Sequence, residues 1–303
     1  MTARTGLGLL ELAALEAVAE LGGVPTAGYR KTARVLDRLE REHGIGARYA
    51  YPLLLDLTVP WRLHLPLLDM NGNVGSQHGD PPADARYMEV RLSPVGALAL
   101  AAERGEIGPV PLGLVDGSLY RDGPVPPFDP RRVVSALLSG STDVGPPVLP
   151  TGGVIAGDIA ALIAGRAARL ELSCEIHHEP DLLVITAVPL GVDIDRVEQS
   201  VLMRARAFPG RDSGFRDFVP SRPAEQPFRV VDVQDETSMR VGVRVVVRLS
   251  PGSDAAAAEA FVRTLWPVTT EVDCRLPEPM ARRLRSWDAG DGTGLAALEQ
   301  LLR

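Results

Sequence analysis

Cysteine, lysine and long apolar runs are scarce in this sequence, and the lack of cysteine motifs and of apolar runs excludes particular classes of protein. Cys174 and Cys274 lie far apart, and no Cys-x-x-Cys or Cys/His spacing indicates a zinc site or a redox pair. The doublet His177-His178 is a poor metal site, because neighbouring residues of a strand point to opposite faces. No apolar run approaches the roughly 20 residues that span a membrane, and the N-terminus has no signal pattern. We therefore expect a soluble, cytoplasmic protein that holds no metal.

The overall charge, taken as a mean, argues against a nucleic-acid-binding protein. Lys and Arg together number 32 and Asp and Glu number 39, so the net charge is −7 and the isoelectric point about 5.4. Phosphate binding needs local positive charge, so the distribution of charge matters more than its sum. Lys31 is the only lysine, and arginine is the better residue for bidentate phosphate contacts. With 45% hydrophobic residues, the 303-residue chain should bury a core in one large or two ordinary domains.

The stretch of residues 66–95 carries the strongest chemical signal. An apolar run leads into the glycine-rich turn GNVGS at 72–76, then a polar loop with two prolines, then Arg86-Tyr87. A phenol is a poor nucleophile near neutrality because its pKa is about 10, and it needs a nearby cation or base. A guanidinium can hold phosphate oxygens and offset charge in the transition state. The pair therefore predicts attack on a phosphodiester; the alternative is an ordinary strand tyrosine with Arg91 as a solvated neighbour.

Basic residues cluster a second time in residues 29–48, which begin YRKTARVL. Four arginines recur at three- and four-residue steps, which predicts that they share one helical face: Arg30, Arg34, Arg38 and Arg41. Such a face either contacts a DNA backbone or is simply the solvated side of an amphipathic helix.

These segments together resemble the A subunits of the type IIA DNA topoisomerases, DNA gyrase and topoisomerase IV. The resemblance rests on GNVGS, Gly-Asp and ARYMEVRL at family spacing, on YRKTARVL, and on LPTGG at 149–153, and it covers about residues 6–272. It implies an α+β fold, with a winged-helix DNA-cleavage domain at 1–150, an α/β tower domain at 151–275 and a short helical remnant at 276–303. The long coiled coil and the C-terminal β-pinwheel of gyrase are not expected.

The resemblance also implies the roles of individual residues. Tyr87 would be the nucleophile that joins a 5′ DNA phosphate, and Arg86 its electrostatic stabiliser. The residues expected to contact DNA are Arg30, Lys31, Arg34, His43 and Arg91. Leu119 or Tyr120 takes the place of a residue that wedges between bases and bends the DNA; the alternative is a shortened turn. The implied partners are double-stranded DNA, a gyrase B-like ATPase/TOPRIM subunit that carries Mg²⁺ and ATP, and a second copy bound through the winged-helix region.

Three departures from the family pattern bear on cleavage. Residues 11–14 lack an arginine that contacts DNA in the family, and Ile45 stands where the family has a histidine. We also expect the wedge loop to be shortened and the long coiled coil to be absent. Isoleucine can neither donate a proton nor hydrogen-bond a phosphate. Three functions stay open. The chain could belong to an ATP-hydrolysing type IIA topoisomerase. It could be a non-cleaving DNA- or gyrase-binding paralogue that regulates, competes or protects against an inhibitor. It could also be a structural oligomer unrelated to DNA.

Overall fold

The structure is a computed structural model that describes residues 4–77, 80–117, 123–205, 226–238 and 241–303. Leu119 and Tyr120, predicted as a DNA wedge, lie outside the described residues. Helices alternate with antiparallel sheets, so the α+β class expected from the sequence is confirmed. No described helix has both the length and the apolar character needed to cross a membrane.

The N-terminal part is a winged-helix arrangement of three helices and a small antiparallel sheet in the order β1-β3-β2. Its elements are α1 (Leu9–Glu20), β1 (Arg30–Lys31), α2 (Thr32–His43), α3 (Ala47–Asp56), β2 (Leu68–Asn71) and β3 (Glu89–Leu92). Val35 and Leu39 are fully buried on α2, and Gly44 ends that helix with a positive φ of 67°. Along β3, Val90 and Leu92 are buried while Glu89 and Arg91 lie on the outer face.

The prediction that Arg30 shares a helical face with Arg34 is wrong. Arg30 and Lys31 form strand β1, which pairs with β3 so that Lys31 lies opposite Glu89. Helix α2 begins only at Thr32, whose N–H donates to the carbonyl oxygen of Met88 at 3.0 Å. A sheet partner far along the chain therefore overrides the local helical pattern.

Three described helices follow β3 along the chain: α4 (Pro94–Glu103), α5 (Leu112–Val115) and α6 (Pro130–Ser139). Ser93 and Asp129 cap α4 and α6 by accepting backbone N–H bonds. Gly96 packs against the strand side so closely that a Cβ there would lie 1.9 Å from the Leu67 carbonyl oxygen. This contact holds α4 against the entry to β2.

The remaining chain forms two further antiparallel sheets with their own helices. The first has the order β10-β5-β4, from β4 (Val154–Gly157), β5 (Ala168–Ser173) and β10 (Thr269–Cys274), with α7 (Ile159–Ile163) beside it. The second has the order β6-β7-β9-β8, from β6 (Glu175–Glu179), β7 (Leu182–Ala187), β8 (Val230–Asp235) and β9 (Val245–Leu249), with α8 (Ile194–Arg204) and α9 (Ala255–Arg263). This is the α/β unit expected from the sequence.

Buried apolar side chains fall into two clusters. The larger joins the winged-helix part to the β4–β5–β10 sheet and to two last helices, α10 (Met280–Ser286) and α11 (Thr293–Leu302). The smaller lies within the β6–β9 sheet and helices α8 and α9. The predicted domain boundaries at 150 and 275 stay a prediction, while α11 packs directly on α4 and α6.

Candidate functional site

Tyr87 stands at the entrance to β3 and is one of the most exposed large side chains described, at 70% of its full exposure. It closes a single 3₁₀ turn, Ala85–Tyr87, whose backbone is fixed by a bond from the Tyr87 N–H to the Asp84 carbonyl oxygen at 2.9 Å. The Asp84 side chain caps this turn by accepting the Arg86 N–H at 3.0 Å. A short, capped turn therefore presents the phenol to solvent from a defined backbone.

The Arg86 guanidinium lies beside that phenol but is bound to a carboxylate. Its Cζ is 5.7 Å from the centroid of the Tyr87 ring. Its Nε donates to Asp84 Oδ1 and its Nη2 to Asp84 Oδ2, both at 3.0 Å. The hydrogen bonds from Arg86 lower the pKa of Asp84, and those to Asp84 raise the pKa of Arg86. Both groups are thus held charged, and one edge of the Arg86 guanidinium is already bound to a carboxylate.

The glycine-rich loop before this turn is closed by a backbone hydrogen bond between its two ends. Gly72 and Gly75 have φ values of 128° and 88°, which non-glycine residues rarely adopt. The Ala83 N–H donates to the carbonyl oxygen of Asn73 at 2.9 Å. The Tyr51 hydroxyl on α3 donates to the carbonyl oxygen of Ala83. The candidate nucleophile is therefore attached to α3 as well as to β3.

Two of the predicted DNA-contacting residues lie next to the tyrosine turn. Lys31 reaches across the β1–β3 pair to Glu89, with Nζ 2.9 Å from Oε1. Arg34 is exposed in the first turn of α2, which contacts the tyrosine turn, and has no hydrogen bond or ion pair within the described part of the chain. The structure therefore places Lys31 and the first turn of α2 beside the turn that carries Arg86 and Tyr87.

Two other predicted contacts are engaged inside the protein. Arg30 donates from Nε to the carbonyl oxygen of Leu21 at 2.7 Å, at the C-terminal end of α1. Arg91 donates from Nε to Asp69 at 2.9 Å and lies 4.3 Å above the Tyr29 ring. The Tyr29 hydroxyl binds the same Asp69 at 2.7 Å, which raises the pKa of that phenol. These arginines hold the turn before β1 against the sheet.

The last of the predicted contacts, His43, is exposed at the far end of α2. At a rise of 1.5 Å per residue, it lies about 14 Å along the helix axis from Arg34. The structure does not bring His43 into the group around Tyr87.

Comparison with known proteins shows one recurrent similarity, although no family model matches the chain. The DNA gyrase A subunit of Mycobacterium bovis is 26% identical over 318 aligned residues, which cover 88% of this chain and 35% of that protein. The DNA gyrase A subunit of Streptomyces coelicolor is 26% identical over 317 residues, covering 88% of this chain and 34% of its own. The chloroplastic/mitochondrial A subunit of Arabidopsis thaliana is 26% identical over 301 residues, covering 84% and 29%.

This chain is similar to the A subunits of DNA gyrase. It spans about a third of the length of the curated relatives that it matches. The family resemblance drawn from the tyrosine segment is confirmed at this level, and the roles of the individual site residues stay predictions.

The departures from the family pattern have structural positions in this gyrase A-like chain. Glu11 lies in the segment where the resemblance predicts an arginine, and it is buried on α1. Ile45 is half-buried and packs against the larger apolar cluster. Neither side chain is exposed at the surface of this chain.

Two further features of the site were not anticipated from the sequence. One is the pairing of Asp84 with Arg86, which an Asp two residues before an Arg could have indicated. The other is a second Arg-Tyr dipeptide, Arg48-Tyr49, at the start of α3. Its tyrosine is 65% exposed, its guanidinium lies 4.8 Å from the ring centroid, and Nη2 donates to the phenol oxygen at 2.7 Å. The repetition of the Arg-Tyr dipeptide in the sequence could have indicated this second pair.

Metal-ligand geometry is absent from the described ranges, where no group of three or more His, Cys, Asp or Glu side chains could hold an ion. His178 is instead paired with Glu259, with Nε2 2.5 Å from Oε2, and His177 lies 3.4 Å from Glu175.

Proposed function

We propose that this chain binds double-stranded DNA and cleaves it in the manner of a type IIA topoisomerase, with Tyr87 as the nucleophile. The observation that carries the proposal is an exposed tyrosine on a capped turn, with a guanidinium beside its ring, in a chain similar to the gyrase A subunit. Arg34 adds a positive charge next to the tyrosine turn, and Lys31 lies there as well, paired with Glu89. These are the groups that phosphodiester cleavage by a phenol requires.

The chemistry assigns a step to each group. The Tyr87 oxygen attacks the phosphorus, the bond to the 3′ oxygen breaks, and the 5′ phosphate remains on the phenol as an ester. The phenol proton is lost to solvent or a base, and the departing 3′ oxygen takes up a proton to become a hydroxyl. Arg86 offsets the charge that builds on the non-bridging oxygens. Attack of the 3′ hydroxyl on the ester reverses the step and reseals the strand.

The proposal includes the partners that the family resemblance implies. A gyrase B-like ATPase/TOPRIM subunit would bring ATP and Mg²⁺, and the ion would stabilise the departing 3′ oxygen. A second copy would bind through the winged-helix region, so that both strands of a duplex meet a tyrosine. The proposed location is the cytoplasm, as expected from the sequence.

A denaturant-trapped adduct tests the cleavage step. The protein, a gyrase B-type partner, Mg²⁺ and labelled duplex are mixed and quenched with detergent, and label that migrates with the protein is measured. We expect an adduct from the wild type and none from Tyr87→Phe, with Tyr49→Phe as the matched exposed-tyrosine control that keeps the adduct. Absence of an adduct with every partner and metal tried would rule out the cleaving function.

The second candidate is a paralogue that binds DNA or gyrase without cleaving. It is favoured by Ile45 in place of a histidine and by the ion pair that occupies Arg86. Such a module would regulate a cellular topoisomerase, compete with one of its subunits or shield it from an inhibitor. Capture of a gyrase or topoisomerase subunit together with DNA binding, but without an adduct, would support this candidate. A structural oligomer would show neither DNA binding nor capture.

A further inference from the structure

We propose that Asp84 is an internal competitor for the phosphate-binding fork of Arg86, so that DNA must displace the Asp84 carboxylate before Arg86 can contact a phosphate. The inference rests on the proposed DNA-binding function and names a residue that controls it. Asp84 would set the affinity threshold at the tyrosine site. Within the 3₁₀ turn, its carboxylate binds the Arg86 guanidinium as a phosphate would.

The carboxylate of Asp84 occupies the position that a phosphate would take. Its two oxygens accept from Nε and Nη2 of Arg86, both at 3.0 Å, which is the side-on, two-point arrangement in which guanidinium binds carboxylate or phosphate. One anion fills that edge of the fork at a time. A phosphate oxygen pair can therefore reach it only when the carboxylate leaves.

The turn itself does not need these two side-chain bonds. Capping requires only the bond from the Arg86 N–H to Asp84 Oδ1. Asp129 shows the simpler case, since it caps α6 through the backbone N–H groups of Arg131 and Arg132 at 2.8 and 3.3 Å. Asp84 thus has a second engagement beyond capping, and that engagement is with the residue next to the candidate nucleophile.

The pair is placed where exchange is feasible. The side chains of Arg86 and Asp84 are 68% and 53% exposed, so water and salt screen their attraction. A polyanion that also contacts Lys31 and Arg34 gains attraction from several charges at once. The carboxylate nevertheless adds repulsion at the site where a phosphate must bind, so removal of its charge should strengthen binding.

Asp84→Asn tests this inference, because asparagine keeps the cap but loses the charge. Binding of a short labelled duplex is measured by fluorescence anisotropy across a KCl series, with the full-length protein. We expect about 3- to 10-fold tighter binding than wild type, and a slope of log K against log salt that is steeper by at most about 0.9, because the Asp84 charge no longer offsets that of Arg86 in any of the complexes. Asp129→Asn is the matched control, which removes a capping charge elsewhere and should leave the slope unchanged.

A double-variant cycle assigns the effect to Arg86. In an Arg86→Gln background, Asp84→Asn should lose most of its gain and leave the salt slope unchanged. Asp84→Ser, which also caps, provides a second uncharged variant should Asp84→Asn fold poorly. The inference is overturned if Asp84→Asn binds DNA with the affinity and salt slope of the wild type, or if its gain in affinity persists in full in the Arg86→Gln background. Either result would leave the proposal of DNA cleavage by Tyr87 unaffected. If neither wild type nor Asp84→Asn binds DNA, both this inference and the proposed function are wrong.

Discussion

Single positive residues in this molecule divide according to whether the protein already uses their charge. Arg30 and Arg91 are bonded to a helix end and to the carboxylate of Asp69, where they hold secondary structure together. Arg34 faces solvent near Tyr87 with no partner in the described chain, and Arg86 is bound to an exposed carboxylate. The number of arginines that are free of a protein partner is therefore smaller than the number of arginines in the same described segments.

The buried carboxyl of Asp116 makes the stability of the protein depend on pH. Burial raises the pKa of Asp116 to about 7, although the N–H groups of His64 and Leu65 donate to it. Between about pH 4, where an unfolded Asp titrates, and about pH 7, the folded state holds one more proton than the unfolded state. The free energy of unfolding contributed by Asp116 therefore falls as pH rises through this window and is constant above it.

Asp116→Asn should remove that slope. Denaturant unfolding of wild type and variant at a series of pH values should show the wild type losing, relative to the variant, at most about 4 kcal/mol between about pH 4 and 7. Asparagine can still accept an N–H bond with its carbonyl oxygen. Parallel pH profiles of the two proteins would show that Asp116 does not titrate in this range.

At the scale of elements, the loop between β2 and β3 that carries Tyr87 is attached both to the small sheet and to helix α3. It begins on β2, ends on β3 and is joined to α3 through the Tyr51 hydroxyl. A loop that was free at its tip would sample many positions for the nucleophile. The attachment to α3 restricts Tyr87 to the side of the molecule where the first turn of α2 carries Arg34.

Tyr51→Phe should separate loop anchoring from catalysis. Loss of the hydroxyl bond to Ala83 should reduce the free energy of unfolding by about 1 kcal/mol and slow adduct formation, because the turn loses a support. Tyr29→Phe is the matched control, since its hydroxyl binds Asp69 on β2 and not the loop. Stability is measured by denaturant unfolding and cleavage by the trapped adduct. Equal slowing in both variants would contradict a specific role for Tyr51.

Elements with local signals were predictable from the sequence, and those set by distant contacts were not. The dense apolar pattern of α1, the Asp-Pro start of α6 and the hairpin turn at Pro180-Asp181 between β6 and β7 are all encoded within a few residues. Strand β1 was not predictable, because it exists only through its pairing with β3. Likewise, Tyr87 and Arg86 were singled out by their motif, whereas the exposure of Tyr87 and the hydrogen bond from Arg30 to the Leu21 carbonyl oxygen depend on tertiary placement.

At the scale of the whole molecule, the C-terminal helices belong to the first core. Leu295 and Leu298 on α11 are buried in the larger cluster, and Arg283 on α10 donates to the Gly113 carbonyl oxygen at 2.8 Å. The sequence suggested a short remnant at 276–303, but its apolar positions help to enclose the winged-helix part. The larger apolar cluster therefore draws on residues from both ends of the described chain.

Leu298→Ala should destabilise the protein strongly, because it removes a fully buried side chain between α11 and the helices it packs on. We expect a loss of about 2–5 kcal/mol in the free energy of unfolding. Leu301→Ala, on the same helix but 46% exposed, should change it by less than about 0.5 kcal/mol. Denaturant unfolding measures both, and equal effects would show that α11 is not part of the core.

Mapping the residue that carries the DNA tests the central claim most directly. The adduct formed with a gyrase B-type partner is trapped, its DNA is digested by nuclease, and the protein is cut with trypsin and analysed by mass spectrometry. Cleavage after Arg86 and Arg91 releases the peptide Tyr87–Arg91, and we predict that the nucleotide mass is found on this peptide. A nucleotide on the peptide that begins at Tyr49, or on no tyrosine, would contradict the assignment of Tyr87 as the nucleophile.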